Sequence, residues 1–333
     1  MLTSPQLGSD GKRVPCAPAG KSVSTSTISN TLMSFYRDYN DKLAAEQWNT
    51  RERSSYKTIK VTPIAPSLGA EVEGLDLRRD LTAEQLADIK HASADHLVLV
   101  FRDQDITSED HKRFGRHFGT LHRHVRADKH TPGGDPEILA WKTSKTSRFT
   151  AGEAWHHDVS CDPQPISSSL LRVTRLPEGG GGDTAFANLY LAYESLSEPI
   201  KTLLNGLTAV HSGEEGWTNG YGAEPDPGQT FAASEHPVVV RHPVTGRKHL
   251  FVNRAFTTHI VQLTRPESQA LLELLYQHIE THLAFQLRVK WTPNTLVHWD
   301  NWATLHQAVW DYYPFERWGE RVSAVSGETP KNA

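Results

Sequence analysis

The chain has 333 residues, 37% hydrophobic and 22% charged, with 35 Lys and Arg against 39 Asp and Glu. That is enough to bury one sizeable core, and basic residues interleaved with acidic ones offer no field for nucleic acid. No run of about 18 apolar residues can span a bilayer, the N-terminus lacks the pattern of a signal peptide, and Cys16 and Cys161 are too few for a disulfide framework, so a cytoplasmic protein with neither membrane nor nucleic-acid partners is expected.

In chain order, residues 1–30 are rich in Ser, Thr, Pro and Gly and read as a disordered tail. Residues 31–57 form an extension with helical potential, where Phe35, Tyr36, Tyr39, Leu43 and Trp48 offer packing contacts on the domain or a partner subunit. A single domain follows over residues 58–333. Within it, Thr82 with Gln85 is a capping box opening a helix that presents Leu86 and Ile89, and a buried strand follows from Leu97 to Phe101. Ser197 and Pro199 open a helix carrying Ile200, Leu203 and Leu204 that Gly206 can close. Val238 to His242 and His249 to Asn253 predict a hairpin through Pro243-Val244-Thr245-Gly246. Thr264 with Glu267 caps a helix through Leu271, Leu274 and Leu275. Phe285, Leu287, Val289 and Trp291 then alternate with polar residues in the period of a half-buried strand, and Pro293-Asn294 turns the chain into Thr295 to Trp299. The rest reads as strands, giving a mainly β protein with peripheral helices, a sandwich or jelly roll.

The most informative stretch is Trp155-His156-His157-Asp158, paired with His306 far downstream in Trp299-Asp300-Asn301-Trp302-Ala303-Thr304-Leu305-His306. In a strand, His156 and Asp158 share a face and His157 turns away. Two imidazoles and one carboxylate leave one side of an octahedral ion open, which suits non-heme Fe(II). The same donors can hold zinc, so a zinc-dependent hydrolase is the reading from another enzyme class.

Three further motifs sharpen this: Gly180-Gly181-Gly182-Asp183-Thr184, Arg317 and Arg321 in Phe315-Glu316-Arg317-Trp318-Gly319-Glu320-Arg321, and the upstream pair Gly69-Ala70-Glu71-Val72-Glu73-Gly74-Leu75-Asp76-Leu77 and Leu97 to Gln104. Over roughly residues 60 to 328 the chain resembles the taurine dioxygenase / TfdA-like family of Fe(II)- and 2-oxoglutarate-dependent dioxygenases. The resemblance implies a double-stranded β-helix, a cupin-like jelly roll. It implies Fe(II) on His156, Asp158 and His306, with 2-oxoglutarate and O2 as cosubstrates and the distal carboxylate of 2-oxoglutarate on Thr184 and Arg317. It implies oxidative decarboxylation to succinate and CO2 coupled to hydroxylation of a small anionic organic substrate. Arg321, His124 and Phe256 match family residues that surround that substrate, by default a sulfonate or sulfate ester. Family members are often oligomeric, so a homo-oligomer is expected.

Two departures speak against taurine itself: Ala127 and Gly152 stand where taurine binders carry a tyrosine and an asparagine. An amino-acid or other carboxylate in a biosynthetic pathway is therefore the alternative substrate. His157 and Trp302 also depart from the family pattern and read as structural, His157 outward-facing behind the iron. Cys161 reads as a small buried hydrophobe. Arg123, Arg126, Lys142, Lys145 and Arg148 read as a solvated loop rather than a basic mouth.

Overall fold

The computed structural model of the protein describes residues 39–124, 134–221 and 228–333. The expected tail over 1–30, and Cys16, Phe35, Tyr36, Arg126 and Ala127, lie outside the described residues. Residues 40–333 form one compact unit. Its strands are β1 (Lys60–Pro63), β2 (Ala70–Glu73), β3 (Val98–Phe101), β4 (Thr120–Leu121), β5 (Leu139–Thr143), β6 (Ser168–Arg175), β7 (Thr184–Asn188) and β8 (Thr208–Ser212). They continue with β9 (Ala233–Pro237), β10 (Val239–Arg241), β11 (Lys248–Leu250), β12 (Thr257–Ile260), β13 (Gln286–Val289), β14 (Leu296–Asp300), β15 (Thr304–Ala308) and β16 (Arg317–Val325).

The larger sheet runs β1-β2-β3-β14-β6-β16-β4, with β5 also pairing β16, and a smaller sheet runs β13-β7-β15. The two layers meet through Trp299 of β14, Phe186 of β7 and His306 of β15: the ring centroids of Phe186 and Trp299 are 5.5 Å apart and those of Trp299 and His306 4.7 Å. This is the jelly-roll arrangement of two β layers over one core. Strand alternation sorts the larger sheet into two faces. Leu171 and Val173 of β6 look into the inter-sheet core, while Leu170, Leu99, Phe101 and Leu296 look outward onto a second apolar cluster.

Two helices supply the cover for that outer face. Residues Ala83–His96 (α2) follow a Thr82–Gln85 capping box and bury Ile89 and Ala92. Residues Ser108–Arg116 (α3) follow a second box, Thr107 with Asp110, and bury Phe114. Ahead of both, α1 (Tyr39–Thr50) buries Ala44 and Trp48 in the main core, and Trp48 Nε1 donates to the Pro66 carbonyl at 3.1 Å. A fully buried aromatic side chain of this kind contributes roughly 1.5–3 kcal/mol.

Several elements correspond to their sequence patterns. The hairpin appears as β10 paired with β11, the 285–291 alternation as β13 with Leu287 and Val289 buried, and the Thr264–Glu267 box as the start of Arg265–Glu280. Gly206, at φ +79°, follows the helix Glu198–Leu204. Assigning the remainder to strands was wrong at Ser108–Arg116, Leu189–Glu194 and Gly213–Tyr221, which are helices. The reason is capping: Thr107–Asp110 closes reciprocally, and the Asn188 side chain accepts from the backbone N–H groups of Tyr190 and Leu191.

Candidate active site

The chain crosses between the two sheets at Asp300-Asn301-Trp302-Ala303, and that crossing builds the site. Asp300 Oδ1 accepts from the backbone N–H groups of Trp302 and Ala303, both at 3.0 Å, so the turn is tied before β15 carries His306 inward. Opposite it, His156 is in an antiparallel bridge rather than a strand: each of His156 and His306 donates its N–H to the other's carbonyl at 3.0 Å. The segment then turns, with Val159 at φ +48°. The shared face expected for His156 and Asp158 thus comes from a bridge followed by a turn.

His156 Nε2 lies 3.7 Å and His306 Nε2 3.6 Å from Asp158 Oδ1. The three donor atoms are within 4.8 Å of one another. His156 Nδ1–H donates to the Ala154 carbonyl at 2.8 Å, which fixes the tautomer and leaves Nε2 with its lone pair free for a ligand. Ser169 donates its hydroxyl to Asp158 Oδ2 at 2.6 Å, leaving Oδ1 toward the two imidazoles. Asn301, fully buried, clamps the same segment: its Oδ1 accepts from Asp158 N–H at 2.9 Å, and its Nδ2 donates to the carbonyls of Asp158 and Ile166. Burial alone would raise the Asp158 carboxyl, but Arg321, followed by His306 and His156, holds it well below the usual carboxylate range. Arg321 Nη1 contacts Asp158 Oδ1 directly. A deprotonated carboxylate and neutral imidazoles are the states a metal requires, and burial keeps the His306 ring neutral. The donor set fits iron.

Arg317 and Arg321 stand on one face of β16, two strand pairs apart, and both line the cavity. Arg317 is only 3% exposed, and its Nε and Nη2 have no partner among the described residues. Burial pulls its guanidinium down to about 10. Two unpaired nitrogens of a guanidinium at that depth are costly, and a carboxylate relieves them by bidentate hydrogen bonding. The guanidinium lies 4.5 Å from the ring centroid of Trp141 and 5.7 Å from that of Trp291. Trp291 Nε1 in turn donates to Thr184 Oγ1 at 3.2 Å. Two glycines make room: a Cβ on Gly182 would lie 2.6 Å from Arg317 Cδ, and one on Gly319 2.5 Å from Trp141 Cζ2. The arrangement fits a dicarboxylate whose far end meets Arg317.

These groups open into a cavity of about 990 Å³, at the top of the roughly 300–1,000 Å³ span of small-molecule sites. His124 and Phe256 also line it, so the structure brings together all the residues singled out from sequence: His156, Asp158, His306, Thr184, Arg317, Arg321, His124 and Phe256. His124 is buried with Nε2 unpartnered among the described residues, and burial followed by the charge of Arg321 holds its ring neutral. Arg123, Lys142, Lys145 and Arg148 are all exposed, in keeping with the solvated setting expected for them, although Arg123, Lys142 and Arg148 also border the cavity.

His157 does turn from the metal donors, but it is fully buried rather than outward-facing, with Nε2 donating to the Trp302 carbonyl at 3.3 Å and its ring 4.5 Å from Phe251. Trp302 packs with Phe251 and Val240 in a small core cluster. Cys161 is a buried free thiol pushed up to about 12 by burial. Sequence reasoning missed Ser169, Trp141 and Trp291, whose roles depend on contacts 11, 176 and 107 residues away respectively, and nothing local to them signals it.

Jelly-roll layers around a two-histidine, one-carboxylate centre beside a buried arginine define a non-heme oxygenase that uses a dicarboxylate cosubstrate. The family model "Taurine catabolism dioxygenase TauD, TfdA family" matches residues 60–323, and the chain belongs to that family of Fe(II)- and 2-oxoglutarate-dependent dioxygenases. It is 36% identical over 284 residues to a putative alpha-ketoglutarate-dependent sulfonate dioxygenase of Schizosaccharomyces pombe, covering 81% of this chain and 70% of that one. It is 36% identical over 285 residues to the alpha-ketoglutarate-dependent sulfonate dioxygenase of Saccharomyces cerevisiae, covering 80% and 66%. A crystal structure of a putative alpha-ketoglutarate-dependent taurine dioxygenase from Burkholderia xenovorans superposes with a TM-score of 0.71 at 34% identity, covering 82% of this chain and 94% of that one. Among the described residues, no helix is long and apolar enough to cross a membrane.

Proposed function

We propose that this enzyme hydroxylates a small organic sulfonate or sulfate ester, using His156, Asp158 and His306 for Fe(II), Arg317 and Thr184 for 2-oxoglutarate, and Arg321, His124 and Phe256 for the substrate. The observation that carries the reading is the pair of inward arginines on β16. One is buried with unpaired nitrogens; the other lies at the metal-binding carboxylate. Two separate anions can thus be held on one strand, one for each arginine.

When bound, Fe(II) with 2-oxoglutarate supplies the oxidising power, and the protein supplies orientation and a dry setting. The Ala154 carbonyl keeps the proton of His156 on Nδ1, Ser169 orients the Asp158 carboxylate, and the stacked Trp141 limits where the Arg317 guanidinium can go. Burial of Arg317 strengthens its attraction for a carboxylate by excluding water. Hydroxylation at the carbon bonded to sulfur or to the ester oxygen yields a product that collapses and releases sulfite or sulfate.

The test is succinate formation with Fe(II), 2-oxoglutarate and O2 across alkylsulfonates, alkyl sulfates, taurine and amino acids, with sulfite and sulfate assayed in parallel. Succinate stimulated together with sulfite or sulfate release is expected. Stimulation by carboxylates alone, without sulfur release, would replace this reading with oxidative tailoring of a carboxylate, which Arg321 can hold by the same bidentate geometry.

A further inference from the structure

Behind the cavity, a row of buried polar side chains joins the metal-binding segment to the turn that carries Phe256. His157, Ser160 and Asn253 are each fully buried. Burial keeps the His157 ring neutral, so it has a single ring proton. A carbonyl can only accept, and the Trp302 carbonyl lies 3.3 Å from Nε2, so the proton is on Nε2 and Nδ1 is an acceptor. Asn253 Nδ2 donates to that Nδ1 at 3.3 Å and to Ser160 Oγ at 3.1 Å. With its nitrogen turned to His157, the amide has its oxygen on the other side, where it accepts from Phe256 N–H at 2.9 Å. One carbonyl thus orients the imidazole, the imidazole orients the amide, and the amide holds Phe256.

Both ends of this row bear on the site. At one end, His157 stands between the metal donors His156 and Asp158, and Trp302 belongs to the crossing that leads to His306. Asn301 already ties that crossing to Asp158 by two bonds, so the metal donors are held without Asn253. What the imidazole adds is a connection to Phe256. At the other end, Asn253 N–H donates to Thr257 Oγ1 at 2.9 Å, and Thr257 N–H donates back to the Asn253 carbonyl at 3.0 Å, which closes the turn. A Cβ on Gly216 would lie 2.2 Å from Phe256 Cε1, so the ring is backed by the helix Gly213–Tyr221 and follows the turn that carries it. A small hydroxyl side chain at position 157 would present one atom close to the backbone, whereas the imidazole presents two nitrogens on separate edges of a rigid ring.

We infer that His157 and Asn253 are a positioning pair, which sets the placement of Phe256, and through it of the substrate, relative to the metal donors. The inference rests on the proposed function in giving Phe256 to the substrate, and it assigns to His157 a task beyond packing. Neither residue touches the reacting atoms; both act through Phe256. A buried hydrogen bond contributes about 1 kcal/mol net, so loss of the His157–Asn253 bond should loosen the turn about fivefold.

The test is amide hydrogen exchange on the full chain loaded with Mn(II) and 2-oxoglutarate, comparing the parent with His157→Gln and His157→Asn. Gln reaches the Trp302 carbonyl but leaves Asn253 without its acceptor at position 157, while Asn places an amide oxygen where Nδ1 stands and keeps that acceptor. In His157→Gln, exchange across residues 254–257 should quicken about fivefold, and KM for ethanesulfonate should rise by a similar factor, with KM for 2-oxoglutarate and Mn(II) affinity close to those of the parent. In His157→Asn, exchange across the turn and KM for ethanesulfonate should return toward the parent values. Quickening in both variants alike, or in neither, would overturn the pair. So would quickening that spreads to β14 with a lowered thermal midpoint, since that is general loss of packing. Local quickening with an unaltered KM for ethanesulfonate would overturn the part in substrate placement. A parent enzyme that releases no sulfite from ethanesulfonate would count against the sulfonate reading instead, and the exchange rates would still decide the pair.

Discussion

At the metal end of the cavity, side chains are held by directional bonds from neighbours that are themselves buried: Ser169 on Asp158, Asn301 on the Asp158 backbone, the Ala154 carbonyl on His156. At the aromatic end, Phe256, Trp217 and Phe231 are held by contact, with glycines where rings approach the backbone. The difference follows from what each end must do. A metal tolerates errors of a few tenths of an ångström at most, and only hydrogen bonds set such positions. An apolar wall supplies volume and shape, which packing provides and which can vary without loss of the metal chemistry.

This contrast can be broken most severely at Asp158. Asp158→Ala removes a metal donor and strands Arg321 in a buried site, so succinate formation should fall by more than about 100-fold, beyond the loss usual for an outer partner of a metal site; activity with intact metal binding would sink the assignment. Arg317→Gln comes next. Losing a buried charge partner costs about 3–5 kcal/mol, so KM for 2-oxoglutarate should rise by two to three powers of ten on the order of that energy, with little change in metal affinity. A variant that lost metal and 2-oxoglutarate equally would show that Arg317 acts only on folding.

Ser169→Ala asks whether the directional bonds matter as described. Mn(II) affinity measured by calorimetry should weaken about 10- to 100-fold, with a thermal midpoint close to that of the parent protein. An unchanged metal affinity would reduce Ser169 to a packing residue.

The smallest effect lies away from the cavity. His298 of β14 stacks on Phe118 with centroids 4.2 Å apart, and neither ring nitrogen has a partner among the described residues. Burial pushes it down to about 4, and burial does the same to His249 and, with Arg53, to His96. Because these folded-state values lie below those of the unfolded chain, the unfolded state binds more protons between about pH 6.5 and 4. Stability is therefore full above that window and is lost as pH falls through it, by up to about 1.4 kcal/mol per pH unit for each ring. His298→Phe should flatten the slope by one proton in denaturant titrations at several pH values, and an unchanged slope would show that His298 is not the group responsible.

Much of the site was legible in the chain because its chemistry is carried by rare residue types at short spacings. His156 and Asp158 two apart, Gly182 before Thr184, and Arg317 four before Arg321 are such local patterns, and so are the reciprocal boxes at Thr82–Gln85 and Thr264–Glu267. The Thr107–Asp110 box is equally local, and its reciprocal cap makes Ser108–Arg116 a helix where the strand expectation fails. Ser169, Asn301, Trp141 and Gly319 belong to another category. Asn301 reaches Asp158 across 143 residues and Trp141 meets Arg317 only because β5 pairs with β16. The sequence by itself determined which donors are available and which short segments begin helices or alternate as strands, since those depend on neighbours a few residues away. Only the tertiary structure decided which Asp158 oxygen faces the imidazoles, that Arg317 is buried beside two indoles, and that Trp217, Phe231 and Phe256 share one wall of the cavity. Those properties arise from sheet pairing and burial, which bring together residues whose separation along the chain carries no information about their contact.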